Sequence, residues 1–225
     1  MLKKYRLPII TVFAVLFIDQ CIKLYIKANY PIGEVHRFFD WCRITFTENP
    51  GMAWGLEFGG DYGKLALSLF RVAAVFAGAF YIKKIVNDGE HKGFVICVSL
   101  ILAGALGNIL DSAFYGLLFG PSSECEVAAF MPAGGGYAPF LKGHVVDMFY
   151  FPIYEGNFPE WLPIWGGEHF EFFNAIFNFA DMAISFGVGI ILVFQGVFFK
   201  NKHSSENEHV VNEVTQDSQQ ESSNN

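Results

Sequence analysis

The sequence predicts a mainly α-helical membrane protein with four transmembrane helices, a strand-forming outer segment and a long outer loop. Three observations carry that prediction. Only 16% of the 225 residues are charged and 52% are hydrophobic, against about 25% charged in an average soluble domain. Four apolar runs, 7–27, 65–82, 93–113 and 177–199, each come close to the ~20 residues a spanning helix needs. Cations gather on one side of such a four-pass chain: Lys3, Lys4 and Arg6 before the first run, Lys83, Lys84 and Lys92 between the second and third, Lys200 and Lys202 after the fourth. The positive-inside rule then places both termini in the cytoplasm and both long loops outside.

Taken in order, the helices fall at about 7–27, 65–83, 93–113 and 176–199, with outer segments 28–63 and 114–175. The first run starts like a signal peptide, but Asp19 and Lys23 interrupt it and no small-residue cleavage site follows, so it reads as a retained helix. Residues 34–58 alternate as "RITFT" and turn at Asn-Pro-Gly, which reads as strand. The charged "NDGEHK" supplies a short inner turn between helices two and three. The stretch 114–172 is rich in Gly, Pro and aromatics, and its Tyr150, Tyr154, Trp161 and Trp165 suit a membrane-surface belt. Residues 1–200 form one domain, and the polar 201–225 reads as a disordered cytoplasmic tail.

The formal charge of −7 gives no nucleic-acid signal. HExxH, CxxC and GxSxG patterns are all missing from the sequence, so neither a metal centre nor a nucleophilic serine or cysteine is predicted. Cys42 and Cys125 could pair outside the membrane, although four scattered cysteines favour free thiols.

Carboxylates in so apolar a chain need explaining. At ~1.5 Å per residue, Asp181 lies ~28 Å from Lys200, about one hydrocarbon thickness, and therefore at the outer boundary. Counting from Lys92 puts Asn108 and Asp111 at the same level, and Asp147 lies in the apolar outer stretch "GHVVDMFYF". A helix-end acid often caps or pairs structurally, yet several at one depth point to a functional site. Asp19 and Lys23 have the i, i+4 spacing of an ion pair; tying helix one to the bundle and positioning substrate are both open to them. Arg71 reads as a snorkelling side chain, with compensation of a carboxylate as the alternative. Gly104 and Gly107 read as a close-packing seam. Two close carboxylates share a proton, so that one activates water while the other donates.

Five ordered blocks carry a family resemblance: "DQCIK" from Asp19 to Lys23, "ENPGMAWG" with Asn49 and Gly51, "GALGNILD" with Gly104, Asn108 and Asp111, "GHVVDMFYF" around Asp147, and "FNFADMAISFG" with Asn178 and Asp181. Over about residues 8–199 the chain resembles signal peptidase II, the lipoprotein signal peptidase of bacterial inner membranes. The resemblance implies an aspartic endopeptidase with Asp147 and Asp181 as catalytic dyad. The implied substrate is a prolipoprotein carrying diacylglycerol on its lipobox cysteine, cut just before that cysteine. Residues 34–58 would form an extracytoplasmic β-cradle. Asn49, Gly51, Gly104, Asn108, Asp111 and Asn178 would position the peptide or the dyad, supported by Asp19 and Lys23. No metal or cofactor is implied, the partners being prolipoprotein and membrane lipid, and the protein is expected to be a monomer.

The chain departs from the family pattern at two places. Ser112 stands where the family has Arg, leaving Arg71 or Lys142 as candidate replacements, and the link from Asp111 to Asp147 is long, with the composition of an added flap or surface loop. A small-solute or proton carrier lined by Asp19, Lys23 and Arg71 is the competing reading. It is disfavoured because polar residues thin out below Asp181 and Asn108. An inactive scaffold is a third reading, but both dyad positions are present.

Overall fold

The computed structural model describes residues 2–50 and 60–199. Four helices, α1 (Arg6–Asn29), α2 (Gly60–Asn87), α3 (Lys92–Leu110) and α4 (Phe179–Phe198), are interleaved with six strands. A 3-10 turn, Leu2–Tyr5, leads into α1. Past Leu110 the chain runs on through a π-helical turn, Asp111–Tyr115, and a last turn, Gly116–Leu118. Three stretches, Lys3–Asn29, Lys92–Leu118 and Phe179–Phe198, are long and apolar enough to cross a membrane.

The helix starts follow from the sequence. Pro8 sits in the first turn of α1, where a missing N–H costs nothing. His91 caps α3 by accepting from the Gly93 N–H at 3.1 Å. Asn178 caps α4 and forms a reciprocal capping box with Asp181.

Outward faces are aromatic. Phe13, Phe17, Phe70, Phe80 and Phe186 are all exposed, as lipid-facing side chains of a bundle are. The inner seam is small. A Cβ on Gly104 would lie 2.3 Å from the Ala180 carbonyl oxygen, and one on Gly107 would lie 2.6 Å from Asp19 Oδ2. Only glycine lets α3 approach α4 and α1 this closely.

Beyond the bundle, β1 (Val35–Phe39), β2 (Cys42–Asn49), β3 (Val145–Tyr150) and β6 (Ile176–Phe177) form an antiparallel sheet in the order β1-β2-β3-β6. In the β2–β3 pair Thr47 faces Asp147 and Asn49 faces Val145, and the register slips between Ile44 and Thr47. Such a bulge re-aims the side chains beside it. A separate hairpin, β4 (Tyr154–Asn157) and β5 (His169–Phe172), is pinned to the sheet. Its pins are an Arg43–Glu155 ion pair at 2.6 Å and a 2.5 Å hydrogen bond from Tyr150 to Glu171.

Several expectations shift. Helix three runs on to Leu118 rather than ending at 113, because Asp111 and Ser112 turn inward and are buried instead of marking an exit to water. Residues 121–140 are mostly exposed, as a surface loop is, but the link is anchored: Tyr115, Phe119 and Ala128 join Ile26, Phe46, Val146 and Met148 in one core under the sheet. All four cysteines are free thiols. The strand reading of 34–58 holds through β1 and β2, while Gly51 and the tail at 201–225 lie outside the described residues.

Candidate active site

The site begins at the N-terminus of α4. β6 pairs with β3, Phe149 opposite Phe177, so the chain enters Asn178 alongside the strand that bears Asp147. The Asn178 side chain accepts from the Asp181 N–H at 3.0 Å, and its amide nitrogen donates to Asp147 Oδ1 at 2.6 Å and to Asn108 Oδ1 at 3.1 Å. Asn108 in turn donates to Asp181 Oδ1 at 2.9 Å, while Asp181 Oδ2 accepts the Asn178 N–H at 3.3 Å. Two asparagines therefore join the two carboxylates into one hydrogen-bonded unit. Asn49, on β2, adds a hydrogen bond to Asp147. It lies diagonally across from Asp147 on the same face of the sheet, within the reach of cross-strand neighbours.

A buried ion cluster lies behind this unit. Lys23 Nζ reaches Asp111 Oδ2 at 2.8 Å, Asp19 Oδ2 at 3.0 Å and Asn108 Oδ1 at 2.9 Å, and no part of its side chain is exposed. The same carboxylates grip the segments that carry Asp147 and Asp181. Asp111 Oδ2 accepts the N–H of Val146 at 3.3 Å, and Asp19 Oδ1 accepts the N–H of Ala180 at 2.9 Å. Those donors immediately precede Asp147 and Asp181 respectively. Gln20 closes the cluster, donating to Asp19 at 3.1 Å and Asp111 at 2.9 Å and accepting from Tyr115 at 3.2 Å.

Electrostatics separate the two carboxyls. Asp147 is 3% exposed. Burial, followed by the charge of Asp181, pushes it up to about 7, against the hydrogen bonds of Asn178 and Asn49 and the charge of Lys23. Asp181 is half-buried and forms part of the wall of an apolar groove of about 500 Å³, lined also by Phe173, Phe177, Met182 and Phe186. Arg71 does not snorkel outward: it is half-buried and within electrostatic range of Asp181, Asp147 and Asp111.

The structure thus brings Asp19, Lys23, Asn49, Asn108, Asp111, Asp147, Asn178 and Asp181 together. Gly104 stays on the packing seam against Ala180. Ser112 is buried and donates to the Asn108 carbonyl at 3.1 Å. Gln20 escaped the sequence reading although it sits inside the "DQCIK" block; its place between two acids of opposite helices has no sequence signal. Lys27, by contrast, repeats the i, i+4 step of Asp19 and Lys23 on one helix face, a signal that was there to be read.

Fold and site define a helical membrane protein with two hydrogen-bond-linked carboxyls where the bundle meets its sheet. The chain belongs to the signal peptidase II family, whose model, Signal peptidase (SPase) II, matches residues 11–198, and it is a protease. It is 49% identical over 179 residues to the lipoprotein signal peptidase of Porphyromonas gingivalis strain W83, covering 79% of this chain and 77% of the relative. With the lipoprotein signal peptidase of Amoebophilus asiaticus it shares 33% identity over 180 residues, 78% of this chain and 72% of the relative. A bacterial membrane enzyme solved by the in meso method at 1.9 Å has the same fold, with a TM-score of 0.52 at 22% identity over 83% of this chain and 90% of its own.

Removing the cluster's cation tests its structural weight. Lys23→Met leaves Asp19 and Asp111 buried without their counter-ion, at a cost of about 3–5 kcal/mol. The thermal unfolding midpoint of the detergent-solubilised protein is expected to fall sharply; an unchanged midpoint contradicts the assignment.

Proposed function

We propose that this protein removes the signal peptide from diacylglyceryl-modified prolipoproteins, cutting before the lipidated cysteine, with Asp147 and Asp181 activating water. The observation that carries this reading is the pair of asparagine bridges, which holds both carboxyls in one frame and leaves one of them facing an apolar groove. Family membership supports the substrate class.

Asp147, the more enclosed and the raised carboxyl, holds the shared proton at rest. Asp181 takes a proton from a water molecule whose oxygen attacks the carbonyl carbon before the lipidated cysteine. Asp147 gives its proton to the carbonyl oxygen. Collapse of the tetrahedral intermediate then breaks the C–N bond: the amine nitrogen takes up the proton that Asp181 received, and one hydroxyl of the intermediate returns its proton to Asp147 as the new carboxyl forms. Asn108 cannot flip without losing this geometry: its carbonyl oxygen accepts from both Lys23 and Asn178, so its amide nitrogen is aimed at Asp181. Asn178 holds Asp147 as Asn108 holds Asp181. Arg71 takes the place of the family cation missing at Ser112, offsetting the charge that Asp181 carries at rest and that Asp147 gains as it gives up its proton. No metal or cofactor takes part.

The proposed topology has four spans. α2, 28 residues long with Phe70, Phe76 and Phe80 exposed, is the fourth. Both termini lie in the cytoplasm of a bacterium, the chain resides in its inner membrane as a monomer among lipids, and β1, β2, β3 and β6 form the cradle on the outer face. The groove beside Asp181 opens onto Ser185 and Phe186, both exposed on α4, a suitable entry for a substrate whose lipid stays in the outer leaflet.

Three outcomes test this reading. Asp147→Asn and Asp181→Asn are each expected to lower cleavage of a diacylglyceryl-modified precursor by at least about 10³-fold with the unfolding midpoint preserved; retained cleavage in either rejects the dyad. Since the raised Asp147 keeps its proton below about pH 7 and loses it above, kcat/KM is expected to decline on the alkaline side, about tenfold per pH unit once the proton is gone. A flat profile from pH 6 to 9 contradicts the shared-proton scheme. Arg71→Ala is expected to cut kcat roughly tenfold or more while Lys142→Ala does not; equal activity in Arg71→Ala and the parent removes Arg71 from the site.

A further inference from the structure

A second buried cation lies one helical turn above Lys23. Lys27 is wholly enclosed, its ammonium 5.8, 5.2 and 5.1 Å from the ring centres of Phe46, Phe119 and Tyr137, a cage of three aromatics. One carboxylate closes the cage. Glu48 pairs with Lys27, accepts from Ser122 Oγ at 2.6 Å and lies 3.1 Å from His144 Nδ1. Ser122 Oγ also sits 3.1 Å from Lys27 Nζ, and the His144 N–H donates to the Tyr137 hydroxyl at 2.7 Å. Burial opposes the negative charge of Glu48, but His144, Lys27 and Ser122 together hold it down to about 2.

The cage joins three pieces of chain: the last turn of α1, strand β2, and the long link between Asp111 and Asp147. Successive side chains of a strand point to opposite faces. Phe46 and Glu48 therefore face the cage, and Thr47 and Asn49 face the other side, toward Asp147. Glu48 is the residue immediately before Asn49, and His144 immediately precedes β3. A clasp that fixes Glu48 and His144 fixes both strands where they meet the dyad.

We propose that Lys27, Glu48 and Ser122 are positioning residues that hold the Asn49 amide against Asp147, and that the long 114–143 link exists in this chain to complete that clasp. This rests on the dyad reading. Stability alone is a poor reason for such a cage, because a buried ion pair is commonly replaced by apolar residues without loss. What charges supply here is direction. Three acceptor contacts on Glu48 leave it one position, and its neighbour Asn49 inherits that position.

The readout is the alkaline limb of the pH–rate profile. Asp147 faces Asp181 and Asn178 at the start of α4, Lys23 from α1, Arg71 from α2 and Asn49 from β2. Of these only Asn49 is joined directly to the clasp, as the next residue after Glu48. Asn49 lowers the Asp147 pKa, so loss of its hydrogen bond moves the limb upward. With a diacylglyceryl-modified precursor, Glu48→Gln is expected to shift the limb up by about half a unit and to lower kcat roughly tenfold with little change in KM. Asn49→Ala is expected to give the same shift, and the double variant no more than Asn49→Ala alone. Ser122→Ala, which keeps the ion pair, is expected to shift the limb by a smaller amount. Additive shifts, or an unmoved limb in folded Glu48→Gln, overturn the clasp; if Glu48→Gln does not fold, an unmoved limb in Ser122→Ala overturns it. Asp147→Asn run in parallel separates the two readings: cleavage by that variant defeats the dyad itself, whereas a dead Asp147→Asn with an unmoved Glu48→Gln limb defeats only the clasp.

Discussion

An ammonium group has three N–H donors and accepts nothing, and a lysine with no path to water must find a partner for each. Lys23 finds Asp111, Asp19 and Asn108, at 2.8, 3.0 and 2.9 Å. That complete shell imposes a strict geometry. Desolvating the cation and two carboxylates is expensive, so the arrangement persists only while every contact is made. The glycine at 107 follows from it, because a Cβ there would collide with Asp19 Oδ2. So does the inward π-helical turn that buries Asp111.

The ion cluster also serves as a reference frame for the two segments that approach it from outside. A strand and a helix start, far apart in sequence, are each fastened through one backbone N–H: Val146 to Asp111 and Ala180 to Asp19. The fastening points are the residues just before Asp147 and Asp181, so a shift of either carboxyl would break a bond to a buried anion. Preorganisation of this kind fits the proposed chemistry, in which the groups that bear developing charge are set before substrate arrives. The asparagines complete the frame, each with its amide orientation fixed by donors to its oxygen or by the helix cap.

Much of this was legible in the sequence, for reasons that differ residue by residue. Asp19 and Lys23 announce a pair by their spacing, and Asn178 with Asp181 opens the last apolar run where its helix starts. Strand β2 shows in "RITFT". The cage around Lys27 does not show, because Glu48, Ser122 and Tyr137 come from segments without shared periodicity and meet only through tertiary packing. The long link after Asp111 was legible in part: its Gly, Pro and Ser composition matches the exposed loop it forms, but gives no sign that Phe119 and Ala128 anchor it in the core under the sheet. Arg71 was legible only as an alternative, since an arginine within a helix looks the same in sequence whether it reaches out to the interface or in toward carboxylates.

Asp147 and Asp181 are unequal in their surroundings, and in the proposed mechanism that inequality assigns their sides of the reaction. Asp147 is enclosed by β2, β3 and the Asn178 side chain, where a charge is costly and a proton is retained. Asp181 stands at the first turn of α4, where the helix N-terminus favours negative charge, and it borders the groove lined by Phe173, Phe177 and Phe186. On that reading substrate comes from the side of the groove. A lipid-bearing peptide entering along that groove would present its carbonyl between a carboxyl already carrying a proton behind it and a carboxylate beside the entering water. In that scheme the same burial that raises Asp147 removes the ambiguity of a symmetric pair, so the proton need not be sorted at each turnover.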